Sequence, residues 1–192
     1  QPLGFASGVV KRLSTGRIVL PIGRQKGAIW SASDHEMLGC FLSDDDGATW
    51  RESSNGVDLP LRGAMEAHVE ELHDGRLLMV MRTQLGSVFQ SHSADGGQTW
   101  SKAQTTGLRA PESCPELVRI PQTGDLLIVW NHSEYDPAFG SHYGKRSPLT
   151  VAVSKDEGIT WTHVHNVETD PGGAFSNPVA FITRRSQVVL MY

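Results

Sequence analysis

Glu66 and Arg82 are the side chains whose types and positions could do chemistry. Glu66 stands at the start of a short β-rich segment, and Arg82 follows the apolar residues 77–81 of the next one. A carboxylate can hold or exchange a proton, whereas a guanidinium keeps its charge and can bind an anion. The alternative is that both are strand-end residues in contact with solvent. Three comparable segments carry no carboxylate at the position of Glu66; they have Ser7, Cys114 and Ser176 there.

Two other groups of residues suggest a metal site, and neither is complete. The acidic run 44–46 lacks the further oxygen ligands and the downstream glutamate of a calcium loop. His163 and His165 alternate on a predicted strand and would share a face, but no third ligand lies at useful spacing. We interpret both histidines as polar residues of an edge strand that face water. No metal site is therefore expected from these residues, and no organic cofactor is predicted.

The elements that would position these residues repeat along the chain. Three octapeptides, at 43–50, 93–100 and 154–161, share the pattern Ser-x-Asp-x-Gly-x-Thr-Trp. In each, the Asp can accept hydrogen bonds from backbone N–H groups of its own turn. The Gly permits a backbone conformation that other residues resist, and the Trp can bury apolar surface against a neighbouring sheet. The octapeptides are therefore predicted to be structural turns.

A second repeated unit lies between the octapeptides. Two short apolar segments flank a turn, most clearly at Asp74-Gly75, and this pattern predicts a β-hairpin because glycine tolerates positive φ. Four copies are present, covering residues 10–20, 69–80, 117–129 and 179–191.

The order of segments indicates the architecture. Each unit contains two hairpin strands, a variable loop, a third strand, the octapeptide and a fourth strand, and no stretch shows sustained helical periodicity. Four antiparallel strands in about 50 to 60 residues are typical of a β-propeller blade. The sequence predicts an all-β, propeller-like chain of about three and a half four-stranded blades, in one partial propeller domain over residues 1–192.

Composition excludes several classes of function. The 192 residues include 17 Lys+Arg and 21 Asp+Glu, a net charge of −4 that argues against a nucleic-acid surface. The longest apolar runs, such as 126–130, are far shorter than the roughly 20 residues of a membrane span. The amino end has no signal-peptide layout, so the location stays open, with secretion or a periplasmic site as one option. Cys40 and Cys114 allow one disulfide at most.

The octapeptides resemble the Asp boxes of the sialidase superfamily, also called BNR repeats. Residues 66–77, EAHVEELHDGRL, resemble the sialidase segment that carries a catalytic glutamate. The resemblance spans practically the whole chain and implies a six-bladed parent propeller that hydrolyses terminal α-linked sialic acids. It also implies that Glu66 activates a tyrosine nucleophile. Arg82 and Arg146 match members of the arginine cluster that binds the substrate carboxylate, a task that suits a permanently charged, bidentate guanidinium.

The chain departs from the sialidase pattern at the nucleophile. A tyrosine is expected there because the substrate's own carboxylate would repel a carboxylate nucleophile. The matching position is Phe175, which has no hydroxyl. Tyr143 or Tyr135 would be the alternatives, whereas Tyr192 is predicted to lie too deep in the last strand.

Two further parts of the sialidase site are expected in a preceding blade, namely the acid/base aspartate and the first arginine. Asp34 is the only loop aspartate early enough to consider, and its alternative role is that of a turn residue. Asn131 begins a glycosylation sequon at 131–133, which matters only in a eukaryotic secretory protein.

Two functions from different classes follow. The first is an exo-α-sialidase-like glycoside hydrolase acting on sialylated glycans or another anionic sugar, supported by Glu66 and Arg82. The second is a non-catalytic propeller that binds glycan or protein, which Phe175 favours. The open strand edges of a partial propeller predict self-association with a second copy, or a longer polypeptide.

Overall fold

The structure is a computed structural model that describes residues 10–28, 31–139 and 143–192. Ser7, one of the positions compared with Glu66, lies outside these residues. Fourteen strands and no helix occur in the described part of the chain. Accordingly, none of those residues forms a helix that could span a membrane. The all-β prediction is confirmed.

The described strands form three four-stranded sheets and one two-stranded sheet. The first sheet contains β1 (Lys11–Arg12), β2 (Ile18–Lys26), β3 (His35–Ser43) and β4 (Arg51–Glu52). The second contains β5 (Met65–Glu71), β6 (Leu77–Arg82), β7 (Ser87–Ser93) and β8 (Gln104–Arg109). The third contains β9 (Glu116–Arg119), β10 (Leu126–Asn131), β11 (Leu149–Ser154) and β12 (Thr162–Glu168). The last contains β13 (Val179–Ile182) and β14 (Val188–Met191).

All four predicted hairpins are confirmed. They are the antiparallel pairs β1–β2, β5–β6, β9–β10 and β13–β14. Three full sheets and one half sheet agree with the predicted three and a half blades. The chain forms two compact units. Unit 1 comprises the described residues up to Thr83 together with Phe89–Gln104, and unit 2 comprises Gln84–Val88 and the described residues from Thr105 to Tyr192.

The core of unit 1 is built from strands with buried faces. Alternate residues of β3 are buried, which is the pattern expected of a half-buried strand. All six residues of β6 are buried, so this strand offers no side chain to open solvent, even at its end. Members of this core include Val19, Leu38, Leu42, Leu77, Met79 and Trp100.

The octapeptides form the predicted structural turns. In the first, Ser43 Oγ donates to Asp45 Oδ1 at 2.8 Å, and the Gly47 N–H donates to Ser43 Oγ at 2.8 Å. Thr49 donates to Asp45 through its N–H at 2.8 Å and its hydroxyl at 2.6 Å. The corresponding bonds in the other two octapeptides have the same lengths. Hydrogen bonds from Thr49, and then from Ser43, lower the pKa of Asp45 to about 2.

The octapeptide tryptophans differ from one another. Trp100 is 5% exposed and lies in the core, as predicted, and Trp161 is half-buried. Trp50 is 43% exposed, so the prediction that each ring would be buried against a neighbouring sheet is wrong for this residue. The reason is that its indole N–H donates to the Gly47 carbonyl at 3.0 Å, which places the ring over its own turn.

Unit 2 has its own core and an exposed edge. Every residue of β10 is buried, and Val129, Leu149 and Ala180 form a cluster. The edge strand β12 is exposed along nearly its whole length, as predicted for His163 and His165. Their expected alternation is interrupted, however, because β12 carries a register shift opposite Val151–Val153 and His163 has a φ of 53°. The strands β13 and β14 expose apolar side chains, namely Val179, Phe181, Val188, Val189 and Met191.

Candidate functional site

Glu66 and Arg82 form an ion pair within unit 1. Arg82 Nη1 lies 2.7 Å from Glu66 Oε2. The backbone explains the pairing: Arg82 at the end of β6 is opposite Met65 at the start of β5, and a bulge separates Met65 from His68. Glu66 lies in that bulge with a φ of 48°, a strained value for a residue other than glycine. Bulges redirect side chains, and this bulge directs the carboxylate of Glu66 toward the guanidinium of Arg82.

The guanidinium of Arg82 is almost fully withdrawn from water. The residue is 6% exposed, so the alternative that it is a solvent-facing strand end is wrong. Removing a guanidinium from water is costly unless a carboxylate and hydrogen bonds compensate. Glu66 supplies that carboxylate, and its own side chain is 24% exposed. The pair therefore presents a fixed, desolvated cation beside a partly accessible acid.

Glu36 is a second acid in this region, and sequence reasoning missed it. It is 8% exposed on β3. Burial, and then the charge of Glu66, raise the pKa of Glu36 to about 7, while Arg62 and Arg82 oppose the rise. A Cβ atom at residue 23 of β2 would lie 1.8 Å from Glu36 Oε1, so Gly23 leaves the room that this carboxyl needs. A signal was present, because Glu36 lies on the same face of β3 as buried apolar residues.

Asp34 lies close enough to Glu36 to affect its pKa, but its carboxylate contacts Arg62 and Gln25. It is 6% exposed, directly before β3. Arg62 contacts Asp34 Oδ2 through Nη2 at 2.8 Å, and Gln25 Nε2 donates to Asp34 Oδ1 at 2.5 Å. The Asp34 N–H also donates to the Ser31 carbonyl at 3.1 Å, so Asp34 closes a turn, as the alternative predicted, and its carboxylate is in addition buried and ion-paired. An acid/base role for Asp34 stays a prediction.

Asn131 joins the two sequence-predicted residues of unit 2. Its side-chain amide donates to the carbonyl of Arg146 at 2.8 Å and to the carbonyl of Phe175 at 2.9 Å. The Phe175 N–H also donates to the Arg146 carbonyl at 3.1 Å. Arg146 is 9% exposed, and Asn131 is fully buried. The sequon therefore cannot be glycosylated in the folded chain, because the amide nitrogen that would carry the sugar is buried and donates hydrogen bonds to two carbonyls.

Tyr192 contacts the position expected to hold the nucleophile. Its ring meets Phe175 edge-on with 5.6 Å between centroids. Tyr192 follows β14 and is 48% exposed. The expectation that it lies too deep in the last strand is therefore wrong. Its hydroxyl donates to Glu168, and this bond raises the pKa of Tyr192.

The other two tyrosines named from the sequence lie together in unit 2. The rings of Tyr135 and Tyr143 are 5.9 Å apart between centroids. Burial, with the charge of Glu112 next, raises the pKa of Tyr135, which makes its hydroxyl harder to ionise. Tyr135 also lines a cavity of about 560 Å³. Other residues of its lining are Arg109, His132, Asp136, Phe139 and Lys145.

The structure thus brings the predicted site residues together as two pairs. Glu66 with Arg82 belongs to unit 1, and Arg146 with Phe175 belongs to unit 2. Among the described residues, no group of three or more His, Cys, Asp and Glu side chains could hold a metal ion. Cys40 and Cys114 are both buried, free thiols.

Repeated Asp boxes, four-stranded sheets and buried arginines define an Asp-box propeller of the sialidase type. The chain belongs to the BNR repeat-like domain family, which it matches over residues 1–190.

Relatives with known names agree with this assignment. The chain is 36% identical over 178 residues to the anhydrosialidase of Macrobdella decora, covering 89% of this chain and 22% of that protein. It is 24% identical over 162 residues to a sialidase of Bacteroides fragilis strain YCH46, covering 80% of this chain and 28% of that protein. The chain therefore spans less than a third of the length of these curated relatives.

Solved structures show the same fold. A leech intramolecular trans-sialidase complexed with 2,7-anhydro-Neu5Ac matches 98% of this chain and 28% of its own, with a TM-score of 0.71 and 24% identity. The intramolecular trans-sialidase of Ruminococcus gnavus, in complex with oseltamivir carboxylate, matches 98% of this chain and 39% of its own, with a TM-score of 0.72 and 22% identity. The sialidase-type propeller fold predicted from the Asp boxes is confirmed.

Proposed function

We propose that the site around Arg82 binds the carboxylate of a terminal sialic acid or another anionic sugar, as part of a sialidase-type glycoside hydrolase. The observation that carries the proposal is the ion pair at 2.7 Å between the buried Arg82 guanidinium and Glu66. A guanidinium that is already fixed and desolvated loses little entropy when it binds a carboxylate, and the surrounding low dielectric strengthens the contact. The sialidase names of the relatives support this class of sugar.

Arg146 is proposed as a second carboxylate-binding residue, on separate evidence. Its backbone carbonyl is fixed by Asn131 and by the Phe175 N–H, and its side chain is nearly buried. Such support on the backbone limits the motion of the guanidinium. Because sialidases use several arginines for one carboxylate, the resemblance supports this role for Arg146 as well.

In the hydrolase, an acid would protonate the leaving oxygen and a nucleophile would attack the anomeric carbon. Glu66 would support that nucleophile. Residue 175, at the position that matches the tyrosine, is phenylalanine and has no oxygen to form the bond. Release of the sugar by this chain would therefore need a hydroxyl or a water molecule from elsewhere.

The second candidate, a non-catalytic module that binds the same anionic sugar, is favoured by Phe175. The ring of Phe175 packs beside Val129 and Leu149 and meets Tyr192 edge-on. Phenylalanine keeps the ring of a tyrosine and removes only the hydroxyl. A phenylalanine at position 175 can therefore make the ring contacts that a tyrosine would make, but it lacks the hydroxyl that would react.

Two measurements on the intact protein separate these functions. Turnover is followed with a fluorogenic umbelliferyl sialoside for the wild type and for Phe175→Tyr. Binding of methyl α-sialoside is followed by calorimetry for the wild type, Arg82→Gln and the control Arg76→Gln. Arg76 lies in the turn of the same hairpin, where it is exposed and paired with Asp74. We expect Arg82→Gln to weaken binding at least about tenfold, because a charge-assisted contact is lost, and Arg76→Gln to have less than a twofold effect.

The outcomes lead to different conclusions. Turnover by the wild type supports the hydrolase, and turnover only by Phe175→Tyr supports a site that lacks its nucleophile. No turnover by either protein, with binding that depends on Arg82, supports the module. Sialoside binding that Arg82→Gln leaves unchanged, in a variant whose thermal unfolding matches the wild type, refutes the proposal.

A further inference from the structure

Three charged or titratable groups of unit 1, Asp34, Arg62 and Glu36, lie around the Glu66–Arg82 ion pair. Arg82 and Glu66 are in contact, and Asp34 and Arg62 are in contact. Glu36 responds electrostatically to all four of these residues. With Glu36 neutral, the two guanidinium charges balance the two remaining carboxylates. With Glu36 ionised, the group carries one excess negative charge.

The backbone holds Glu36 firmly in this position. Its N–H donates to the Arg62 carbonyl at 2.8 Å, and its carbonyl accepts from the Ala64 N–H at 3.0 Å. The carboxyl lies over Gly23, where the Cβ of any other residue would come within 1.8 Å of Glu36 Oε1 and would displace it. Glu36 Oε1 is buried and accepts no hydrogen bond from the described residues. A buried carboxyl oxygen without a hydrogen bond favours the protonated acid, and the nearby charges of Arg62 and Arg82 offset this preference only in part.

We propose that Glu36 is a positioning residue for the anion site: as a neutral acid it adds no charge beside the Glu66–Arg82 pair, and as a carboxylate it adds a negative charge that opposes the binding of an anionic ligand at Arg82. This inference rests on the function proposed above. It predicts that the affinity for an anionic sugar falls as Glu36 loses its proton. The ligand carboxylate contributes nothing to this change, because it is ionised throughout the neutral range.

The pH range follows from the state of Glu36. A pKa of about 7 makes Glu36 mostly neutral at pH 6 and mostly ionised at pH 8. One added negative charge near Arg82, in the partly screened interior of a protein, should weaken anion binding about five- to tenfold. His35, which contacts Asp58 and the Leu61 carbonyl, has a pKa raised above its usual value and is a second titratable group of unit 1. Its effect would persist in a Glu36→Gln variant, so that variant isolates the contribution of Glu36.

The ligand experiment measures the dissociation constant of methyl α-sialoside at pH 6 and pH 8 for the intact wild type and for Glu36→Gln. The wild type should bind about five- to tenfold more weakly at pH 8, and the variant should change less than about twofold. The control Glu52→Gln removes an acid of the same unit that is exposed and paired with Arg24, and it should retain the wild-type dependence. Equal pH dependence in wild type and Glu36→Gln overturns the inference while leaving the proposed function intact.

A second measurement needs no ligand. The Glu36 carboxyl is titrated by carbon NMR, with Glu36→Gln used to assign its signal. Because coupling is reciprocal, Arg82→Gln should raise the midpoint by at least about half a pH unit, and Glu66→Gln should lower it by a similar amount. A midpoint unmoved by both substitutions overturns the inference. If no sialoside binds at any pH, the proposed function fails, and this titration alone decides whether Glu36 is coupled to the ion pair.

Discussion

Replacing Glu36 with glutamine should stabilise the protein above neutral pH and should change its stability far less at pH 5. The side chain is 8% exposed, and burial is the main cause of its raised pKa. A carboxyl whose pKa is higher in the folded state than in the unfolded state binds more protons when folded. Stability therefore falls as pH rises from the unfolded value toward the folded value, and it stays reduced above it.

The magnitude follows from the two pKa values. The pKa of Glu36 is 4.5 for the side chain in an unfolded chain and about 7 in the folded protein. At 1.36 kcal/mol per pKa unit, the carboxylate costs the folded state about 3 kcal/mol at pH 8. Glutamine has no charge to bury and a similar shape. We expect it to recover about 1 to 3 kcal/mol of this cost, with the lower value applying if the amide finds no hydrogen-bond partner.

The assay is urea unfolding of the intact protein, followed by tryptophan fluorescence at pH 5 and pH 8. The quantity compared is the change in unfolding free energy between the two pH values, measured separately for wild type and variant. Comparing these changes cancels any constant effect of the amide, and it also cancels the titration of groups that wild type and variant share, such as His35. Glu52→Gln serves as the control and should follow the wild type within about 0.5 kcal/mol. Parallel pH dependence of the wild type and Glu36→Gln would refute the assignment of a raised pKa to Glu36.

Three further perturbations test other parts of the structure. Asn131→Ala should destabilise unit 2 by about 2 to 4 kcal/mol, since two hydrogen bonds from a buried amide are lost, although the Arg146 carbonyl keeps the Phe175 N–H. Chemical denaturation measures this against Asn166→Ala on the exposed edge strand β12, which loses one hydrogen bond from Thr150, and equal effects would contradict the positioning role. Asp156→Asn should lower the melting temperature by about 2–4 °C at pH 7. Hydrogen bonds from Thr160 lower the pKa of Asp156, so the contribution is present above the unfolded value of 3.8 and is lost as pH falls through the lower folded value; calorimetry in which the effect of the substitution does not shrink as the pH is lowered through the acid range would refute this. Gly23→Ala should cost about 1–3 kcal/mol by displacing the Glu36 carboxyl, and thermal unfolding should show the cost disappear in a Glu36→Ala background if that contact is its cause.

The sequence was sufficient for the repeated parts of the fold because their geometry is local. In each octapeptide, Ser, Asp, Gly and Thr bond to one another within five or fewer residues, so the pattern alone specifies the turn. The hairpins are equally local. Trp50 shows the limit, since the burial of a ring depends on whether a neighbouring sheet lies against it. Trp50 and Trp100 occupy the same place in the pattern, yet one is exposed and the other lies in the core.

The site could be predicted only in part, because its remaining members are defined by partners distant in sequence. Glu66 and Arg82 belong to one hairpin, so their proximity could be expected from the strand order. Burial, and then the charge of Glu66, raise the pKa of Glu36, and Glu66 lies 30 residues away along the chain. Asn131 illustrates the opposite case: a local pattern suggested a sugar acceptor, whereas the fold uses the amide to hold Arg146 and Phe175.

Recognition and turnover can be lost independently in this architecture. The ion pair that holds Arg82 lies within unit 1, on β5 and β6, whereas Phe175 lies in unit 2. A tyrosine and a phenylalanine at 175 differ by one oxygen atom, and the contacts of the ring with Val129, Leu149 and Tyr192 do not require that oxygen. Losing the hydroxyl therefore costs little packing and leaves the ion pair of Arg82 unchanged. A chain of this kind can retain affinity for an anionic sugar without the step that cleaves it, which is why binding and turnover have to be measured separately.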